Sequence, residues 1–269
     1  MIITLPVFNP NLIEIGPIAI RWYSLAYIAG IVAAMLFINR QNKKHKFMSE
    51  IAQENFLVWA VLSIIIGGRL GYVLFYNFDY FAQNPLEIFA VWQGGMSFHG
   101  GLLGSIIGLY LFCRKHKVDF LQIADLLAII APLGIFFGRM ANFINLELYG
   151  RPTNGNFGFI FPSDPLLLPR YPSQLYEGIF EGLLITIALF LLAKFTKIQD
   201  KRGALSGLFL IIYGIARIFI ENFRQPDIQL GEFNLIFFDV TMGQILSLPI
   251  IALGLFVFLR SKKDLTILD

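Results

Sequence analysis

A single cysteine, Cys113, is all the thiol chemistry this 269-residue chain contains. That excludes an internal disulfide framework and any metal site built from several cysteines. Charge is scarce as well: Asp, Glu, Lys and Arg make up 14% of residues, against 57% hydrophobic. No polar stretch is long enough for a second, soluble domain. A Walker loop, an HExxH pair and a Ser-His-Asp order are all missing. The first basic residue is Arg21, so the positive n-region of a secretory signal peptide is lacking. The formal charge of +3 does not argue for a nucleic-acid partner. The basic residues gather beside apolar segments, as topology signals do.

What the chain has in quantity is apolar runs. They fall at roughly Ile18–Asn39, Phe56–Tyr76, Ser97 to just before Arg114, Leu121–Ile144, Ser173–Phe195, Ala204–Phe223 and Thr241–Leu259. Each is about the length that crosses a hydrocarbon core of ~30 Å. The pattern predicts an all-α, polytopic membrane protein with about seven transmembrane helices. It forms one integral-membrane domain over residues 1–269, with a small outer-face loop region at 145–172. Basic clusters follow the first, third, fifth and seventh runs, for example Lys43, Lys44 and Lys46, then Arg260, Lys262 and Lys263. The positive-inside rule therefore predicts an outside amino terminus and a cytoplasmic carboxyl terminus. On that reading no lysine is left for the outer half. Its basic residues are Arg21, Arg69, Arg139, Arg151, Arg170, Arg217 and Arg224. A planar, always-charged fork is preferred to lysine where phosphate or carboxylate is gripped bidentately.

The most informative stretch is Gly138 to Gly150, at the end of the fourth run. On helical spacing Arg139, Asn142 and Asn145 share a face. A charge in such a place is costly and marks function unless it only snorkels to the headgroups. Arg69, Arg139 and Arg217 each precede the outer end of a run by a similar number of residues, which puts them roughly 7–11 Å deep. Three guanidiniums at one depth need anions. Glu147, Glu177, Glu181 and Glu221 supply part of that charge, and a phosphate substrate can supply the rest. Tyr213, Arg217, Glu221 and Arg224 form a second polar stripe, in which a purely structural Arg217–Glu221 pair is the alternative reading.

His99 is the only histidine on the predicted outer side, since His45 and His116 fall in inner basic loops. An imidazole titrates near neutral pH, which suits proton transfer. Ser97 is a weak nucleophile candidate that would point away from His99 if the segment is helical. Gly67 and Gly71, with Gly100, Gly104 and Gly108, read as ridges for close helix packing. Cys113 falls at the inner end of its run, so an outer-face cysteine nucleophile is excluded by topology.

Gly138 to Gly150 resembles the signature Gly-Arg-x-Gly/Ala-Asn-Phe-x-Asn-x-Glu-x-x-Gly of bacterial prolipoprotein diacylglyceryl transferases. The resemblance covers almost the whole chain. It includes Ile15-Gly16-Pro17 with Arg21-Trp22-Tyr23, Gly67 to Tyr72, Gly94 to Gly101, Pro172 to Glu177, Arg224-Gln225-Pro226-Asp227 and Met242 to Ser247. Two departures stand out. Tyr171 occupies a position where many members have histidine, and the loop between Gly150 and Pro172 lacks the large insertion of some relatives.

The resemblance implies transfer of the diacylglyceryl group of phosphatidylglycerol to the lipobox cysteine of a prolipoprotein signal peptide, with glycerol 1-phosphate leaving. It implies a multi-pass protein of the bacterial cytoplasmic (inner) membrane, in contact with membrane lipid, acting near the outer, periplasmic face. Catalytic roles fall on His99 as base, Arg139 as phosphate ligand and Arg217 as leaving-group stabiliser. Substrate-binding roles fall on Tyr23, Arg69, Asn142, Glu147, Tyr213 and Glu221. No metal and no organic cofactor is implied. Two membrane-bound substrates also predict a lateral opening between helices. Two other readings remain open on the residues alone: an organic-anion transporter lined by the same arginines, and a noncatalytic lipid-binding scaffold. Against the transporter, no polar stripe continues into the inner half.

Overall fold

Long apolar stretches broken by capping residues leave the backbone little choice but helix, and helices carry most of the chain. The computed structural model describes residues 1–15, 18–153, 155, 157–225, 232–235 and 238–263. In chain order the helices are α1 (Trp22–His45), α2 (Glu50–Tyr76), α3 (Phe78–Gln83), α4 (Phe98–His116) and α5 (Phe120–Ile144). Next comes α6 (Ser173–Glu177), which runs through a π-helical turn (Gly178–Leu183) into α7 (Leu184–Phe195), followed by α8 (Ala204–Ile220) and α9 (Met242–Arg260). Among the described residues, five helical stretches are long and apolar enough to cross a membrane: α1, α2, α5, the continuous Ser173–Phe195 stretch and α9. The shorter α8 is also apolar.

The chain is mostly helical, as expected of the all-α class, and short strands join its helices. Short strands occupy the segments between and beyond the helices: β1 (Ile2–Thr4), β2 (Asn11–Ile15), β3 (Ile18–Arg21), β4 (Gly158–Ile160), β5 (Pro169–Arg170), β6 (Lys201–Arg202), β7 (Glu232–Leu235), β8 (Phe238–Thr241) and β9 (Lys262–Lys263). β1, β4 and β5 make a three-stranded sheet, and β2–β3, β6–β9 and β7–β8 are two-stranded. The first apolar run therefore splits, because Ile18–Arg21 pairs with Asn11–Ile15 and α1 starts only at Trp22. Backbone groups outside a helix still need partners, and these strand pairs provide them. Gly16, Pro17, Pro226 and Asp227 of the sequence motifs lie outside the described residues.

The chain divides into two compact units, one made of Met1–Phe37 and Ala124–Asp269, the other of Ile38–Ile123. In the second unit, Ser49 starts α2 by accepting a hydrogen bond from the Ala52 amide. Ser97, weighed from sequence as a nucleophile, is the matching cap of α4 and accepts from the Gly100 amide at 3.2 Å. Such caps satisfy amides that the first helical turn leaves bare. α2 and α4 then pack backbone to backbone through the glycine ridges. A Cβ on Gly67 would lie 2.5 Å from the Gly100 carbonyl oxygen and 2.6 Å from the Gly104 Cα. Gly67→Ala should therefore force the helices apart, at a cost of about 1–3 kcal/mol or more. Thermal unfolding in detergent checks this, with Gly134→Ala as control, since a Cβ there meets nothing within 4 Å.

In the first unit, Ile129, Ile185, Leu189 and Leu205 form a buried cluster between α5, α7 and α8. The start of α8 is capped by a distant side chain. Buried Asp125 of α5 accepts from the Gly203 amide at 2.7 Å, the Ser206 amide at 2.7 Å and the Ser206 hydroxyl at 2.6 Å. Thr241 and Gln244 start α9 with a reciprocal capping box. α8 and α9 approach through Gly207 and Gly254, where a Cβ on Gly207 would lie 2.7 Å from the Phe258 amide nitrogen.

A buried arginine–glutamate cluster as candidate active site

The last turn of α5 carries Arg139 and Asn142 on one face, as helical spacing demands, and the contact is direct. Arg139 Nη1 donates to Asn142 Oδ1 at 3.4 Å. Asn142 is buried and its amide nitrogen donates twice, to the Tyr23 hydroxyl at 2.9 Å and to Glu147 Oε1 at 2.9 Å. Asn145 also donates to Glu147 Oε1, at 3.4 Å. So Arg139, Asn142, Glu147 and Tyr23 form one connected chain of polar groups.

The loop after α5 reaches this arrangement through tight backbone geometry. Leu146 and Leu148, either side of Glu147, have φ of 58° and 55°. That left-handed region is uncommon for residues other than glycine and persists where surroundings enforce it. The enforcement comes from the Pro-Ser-Gln motif at the start of α6. Ser173 Oγ donates to the Leu148 carbonyl at 3.0 Å, and Gln174 Nε2 donates to the Glu147 carbonyl at 2.6 Å. Both side chains are fully buried. Gly150 sits where a Cβ would strike the Phe223 and Tyr171 carbonyl oxygens, which explains a glycine at the end of the signature.

Four residues beyond the motif's serine stands Glu177, and Glu181 follows one turn later within the π-helical turn. Neither side chain has any exposure. Glu177 Oε2 pairs with Arg139 Nη2 at 2.9 Å and Arg217 Nη1 at 3.3 Å, and its Oε1 lies 3.6 Å from Arg224 Nε. Arg217 Nη1 also reaches Glu181 Oε1 at 3.4 Å, while its Nη2 pairs with Glu221 Oε2 at 3.0 Å. Arg224 Nη1 lies 3.9 Å from Glu221 Oε2. Three guanidiniums thus enclose three carboxylates. The arginine side chains keep 23% (Arg139), 15% (Arg217) and 13% (Arg224) exposure. Arg139 is the most open of the three.

Glycines set these distances. Gly178 and Gly182, each next to one of the glutamates, turn toward α5. A Cβ on Gly182 would lie 2.7 Å from the Phe136 amide nitrogen and 2.9 Å from the Pro132 carbonyl oxygen. The helix can therefore lie against α5 and bring Glu177 to Arg139. A π-helical turn at this point is notable, because such turns concentrate at functional sites. Gly243, in the first turn of α9, leaves room for the Glu221 carboxylate, 2.7 Å from where its Cβ would be.

The sequence-predicted residues are distributed as follows. Arg139, Arg217, Tyr23, Asn142, Glu147 and Glu221 are joined in the one network of the first unit. Tyr213 stands one turn before Arg217 on α8, half-buried, its ring 5.8 Å from that of Phe209. Glu221 is an ion-pair partner of Arg217, the structural alternative weighed from sequence. His99 belongs to the second unit, exposed in the first turn of α4 with its ring edge-on to Phe98. Arg69 is in the same unit. It is buried, and its guanidinium is committed to backbone carbonyls: Nε donates to Ile88 at 2.9 Å, Nη1 to Gly94 at 2.5 Å, and Nη2 to Glu87 at 2.6 Å. Phe81 covers it from 4.9 Å. Such an arginine clamps a loop and leaves little for a phosphate. Among the described residues, no group of three or more His, Cys, Asp or Glu can hold a metal ion.

The 145–172 region is closed by a second ion pair. Asp164 accepts from Arg170 Nε at 2.5 Å and Nη2 at 3.0 Å. Arg170 also donates to Gln225 Oε1 at 3.2 Å and stacks over Tyr149 at 4.8 Å. The Arg170 hydrogen bond, helped by the Leu166 and Leu168 amides, holds the Asp164 carboxyl below the ordinary aspartate range despite its burial. The folded-state pKa is depressed, so the stabilisation is present above the unfolded value and lost as pH falls through the folded one. Limited proteolysis of this loop should accelerate only below pH of about 4. Asp164→Asn should show the fast cleavage already at neutral pH.

The profile of the prolipoprotein diacylglyceryl transferase family matches residues 10–260. The chain is 49% identical over 262 residues to a Rickettsia felis protein named phosphatidylglycerol–prolipoprotein diacylglyceryl transferase, covering 96% of this chain and 99% of the relative. It is 50% identical over 261 residues to the Rhodospirillum rubrum protein of that name, covering 96% and 94%. For a Rickettsia bellii relative of the same name the figures are 48% over 263 residues, 96% and 97%.

Proposed function

Because this chain belongs to the prolipoprotein diacylglyceryl transferase family, we propose that it transfers the diacylglyceryl group of phosphatidylglycerol to the lipobox cysteine of prolipoproteins. Glycerol 1-phosphate is released, and the reaction is the first step of lipoprotein maturation. The observation that carries this reading is the buried cluster of Arg139, Arg217 and Arg224 around Glu177, in a chain half identical to named transferases over nearly its whole length.

The chemistry makes three demands. The substrate thiol, with a pKa of about 8.5, must give up its proton, because the thiolate is the nucleophile. The thiolate then attacks the sp3 carbon that joins the diacylglycerol to phosphate. A carbon–sulfur bond forms, the carbon–oxygen bond breaks, and its electron pair goes to the phosphate oxygen. The leaving phosphate gains a negative charge, so preorganised cations around it lower the barrier. Arg139 takes the phosphate of the bound lipid in this proposal, and Arg217 stabilises the leaving group. Glu177 and Glu181 hold Arg217 in place before the charge develops, so no reorganisation is needed in the transition state. Asn142 orients Arg139, with Tyr23 and Glu147 fixing Asn142. His99 takes the thiol proton. Tyr213 and Glu221 line the headgroup site. The nucleophile belongs to the substrate, which suits a chain whose one cysteine is buried at the far end of α4.

The protein works as one integral-membrane domain of seven spans, the five long apolar stretches together with α4 and α8. The 17 residues of α8 extend about 26 Å, short of a typical core, and the turn that follows adds the remainder. The lysine-rich helix ends lie in the cytoplasm, the amino terminus outside, and the arginine cluster near the periplasmic face of the inner membrane. The signal-peptide helix and the lipid enter laterally from the bilayer.

Transfer from labelled phosphatidylglycerol to a lipobox peptide by the purified protein tests this. The parent should transfer, and His99→Gln should lower turnover by about 10²-fold or more, as loss of a general base does. Near-parent turnover in His99→Gln would remove His99 as base. A parent that transfers nothing, in lipid where a relative works, would return the arginine cluster to the anion-transport reading.

A further inference from the structure

Glu177 and Glu181 are alike in burial and unlike in use. Glu177 meets three guanidiniums, which accounts for its charge. Glu181 pairs with Arg217, through Oε1 at 3.4 Å. Its other oxygen, Oε2, is buried and has no hydrogen-bond partner among the described residues. A carboxylate oxygen removed from water and left unmatched is costly, and native proteins retain such atoms mainly where a role compensates. The atom accepts only; it needs a donor. The guanidinium it meets has little left to give, since Arg217 is divided among Glu177, Glu181 and Glu221.

Resting on the transfer reading above, we propose that Glu181 Oε2 accepts a hydrogen bond from a hydroxyl of the lipid headgroup, making Glu181 a specificity-determining residue for a glycerol phosphodiester. The arginines on which the phosphate sits are the ones paired to Glu177 and Glu181, so the headgroup attached to that phosphate lies beside the deeper carboxylate. A hydroxyl satisfies the acceptor without adding charge. An ammonium headgroup would bring a second cation against Arg217, and a carboxylate headgroup would meet Glu181 with like charge. The π-helical turn that holds Glu181, with Gly182 pressed on Phe136 of α5, fixes the acceptor on a rigid element, which selective recognition needs.

The test compares phosphatidylglycerol with phosphatidylpropanol, a phosphodiester of the same length without headgroup hydroxyls, in the peptide transfer assay. The parent should prefer phosphatidylglycerol by roughly 10²-fold in kcat/KM, the scale of a hydrogen bond to a charged group. In Glu181→Ala and Glu181→Leu, which have no acceptor, the preference should fall to within a few-fold of one. A general loss of folded protein lowers both rates together and leaves the ratio unchanged, so an unaltered ratio in both variants overturns the proposal. So does a parent that does not discriminate. A second readout needs no turnover. Short-chain phosphatidylglycerol should raise the parent's melting temperature more than the hydroxyl-free lipid, and Glu181→Ala should make the two shifts equal. Unequal shifts in the variant would overturn the assignment even if its activity were too low to read. A parent inactive toward phosphatidylglycerol would instead remove the transfer reading, and this inference with it.

Discussion

Glu177→Gln is expected to cost about 3–5 kcal/mol of stability, the range for breaking a buried ion pair from one side, and to abolish transfer. The substitution keeps shape and removes one negative charge. Three guanidiniums, at 2.9, 3.3 and 3.6 Å, then face each other without the carboxylate that joins them. None can relax into water easily, since each arginine side chain is largely covered. The melting temperature in detergent should fall by about 10 °C. Adding Arg139→Gln should recover part of the loss, because it removes a charge that the first substitution orphaned; the two changes share a partner and need not add. A melting temperature within a degree or two of the parent's would show that Glu177 carries little of the interior charge balance.

Arg139→Lys tests the opposite partner. The positive charge stays, so the fold should hold to within about 1 kcal/mol, and the rate should drop by about 10²–10³-fold, as when one preorganised donor is lost from a site of developing charge. The reason is geometric. Arg139 reaches Glu177 with Nη2 and Asn142 with Nη1 at once, and its side chain keeps 23% exposure. A single ammonium gives up the planar fork, so it either leaves Asn142 without its donor or turns away from the anion. The transfer assay reads the rate and circular dichroism the fold. A variant that keeps a third or more of parent turnover would show that charge alone suffices, and the phosphate-fork role would fall.

Much of this site is legible in the sequence because it follows helical periodicity. Arg139 and Asn142 are three residues apart on an apolar helix, Arg217 and Glu221 four apart, and both pairs touch. Apolar length likewise reveals the helices, with starts displaced where Ile18–Arg21 prefers a strand and where Ser49 caps α2 several residues early. The centre of the cluster is harder to see. Glu177 and Glu181 read from sequence as suppliers of countercharge, and nothing in their spacing shows that one of them binds three arginines, from α5, α8 and the segment after α8. A signal existed: two glutamates four apart inside an apolar run of helical length are expensive unless something demands them. Arg69 had no such signal. Its partners are carbonyls of Glu87, Ile88 and Gly94, and backbone acceptors look the same at every residue, so sequence depth alone grouped it with Arg139 and Arg217.

The Asp125 contact with the start of α8 also bears on how the chain is made. Gly203 and Ser206 carry amides that, in hydrocarbon, cost several kcal/mol each if left bare. Their acceptor was synthesised some eighty residues earlier, on α5. On the seven-span reading proposed above, a nascent α8 reaches the bilayer with its first turn incomplete until it meets α5. Biogenesis acquires an order from this: α5 waits as the dock, and α8 is the latch that closes on it. Asp125→Ala should accordingly show itself first as newly made protein lost to membrane proteases, ahead of any change in the turnover of molecules that have already assembled.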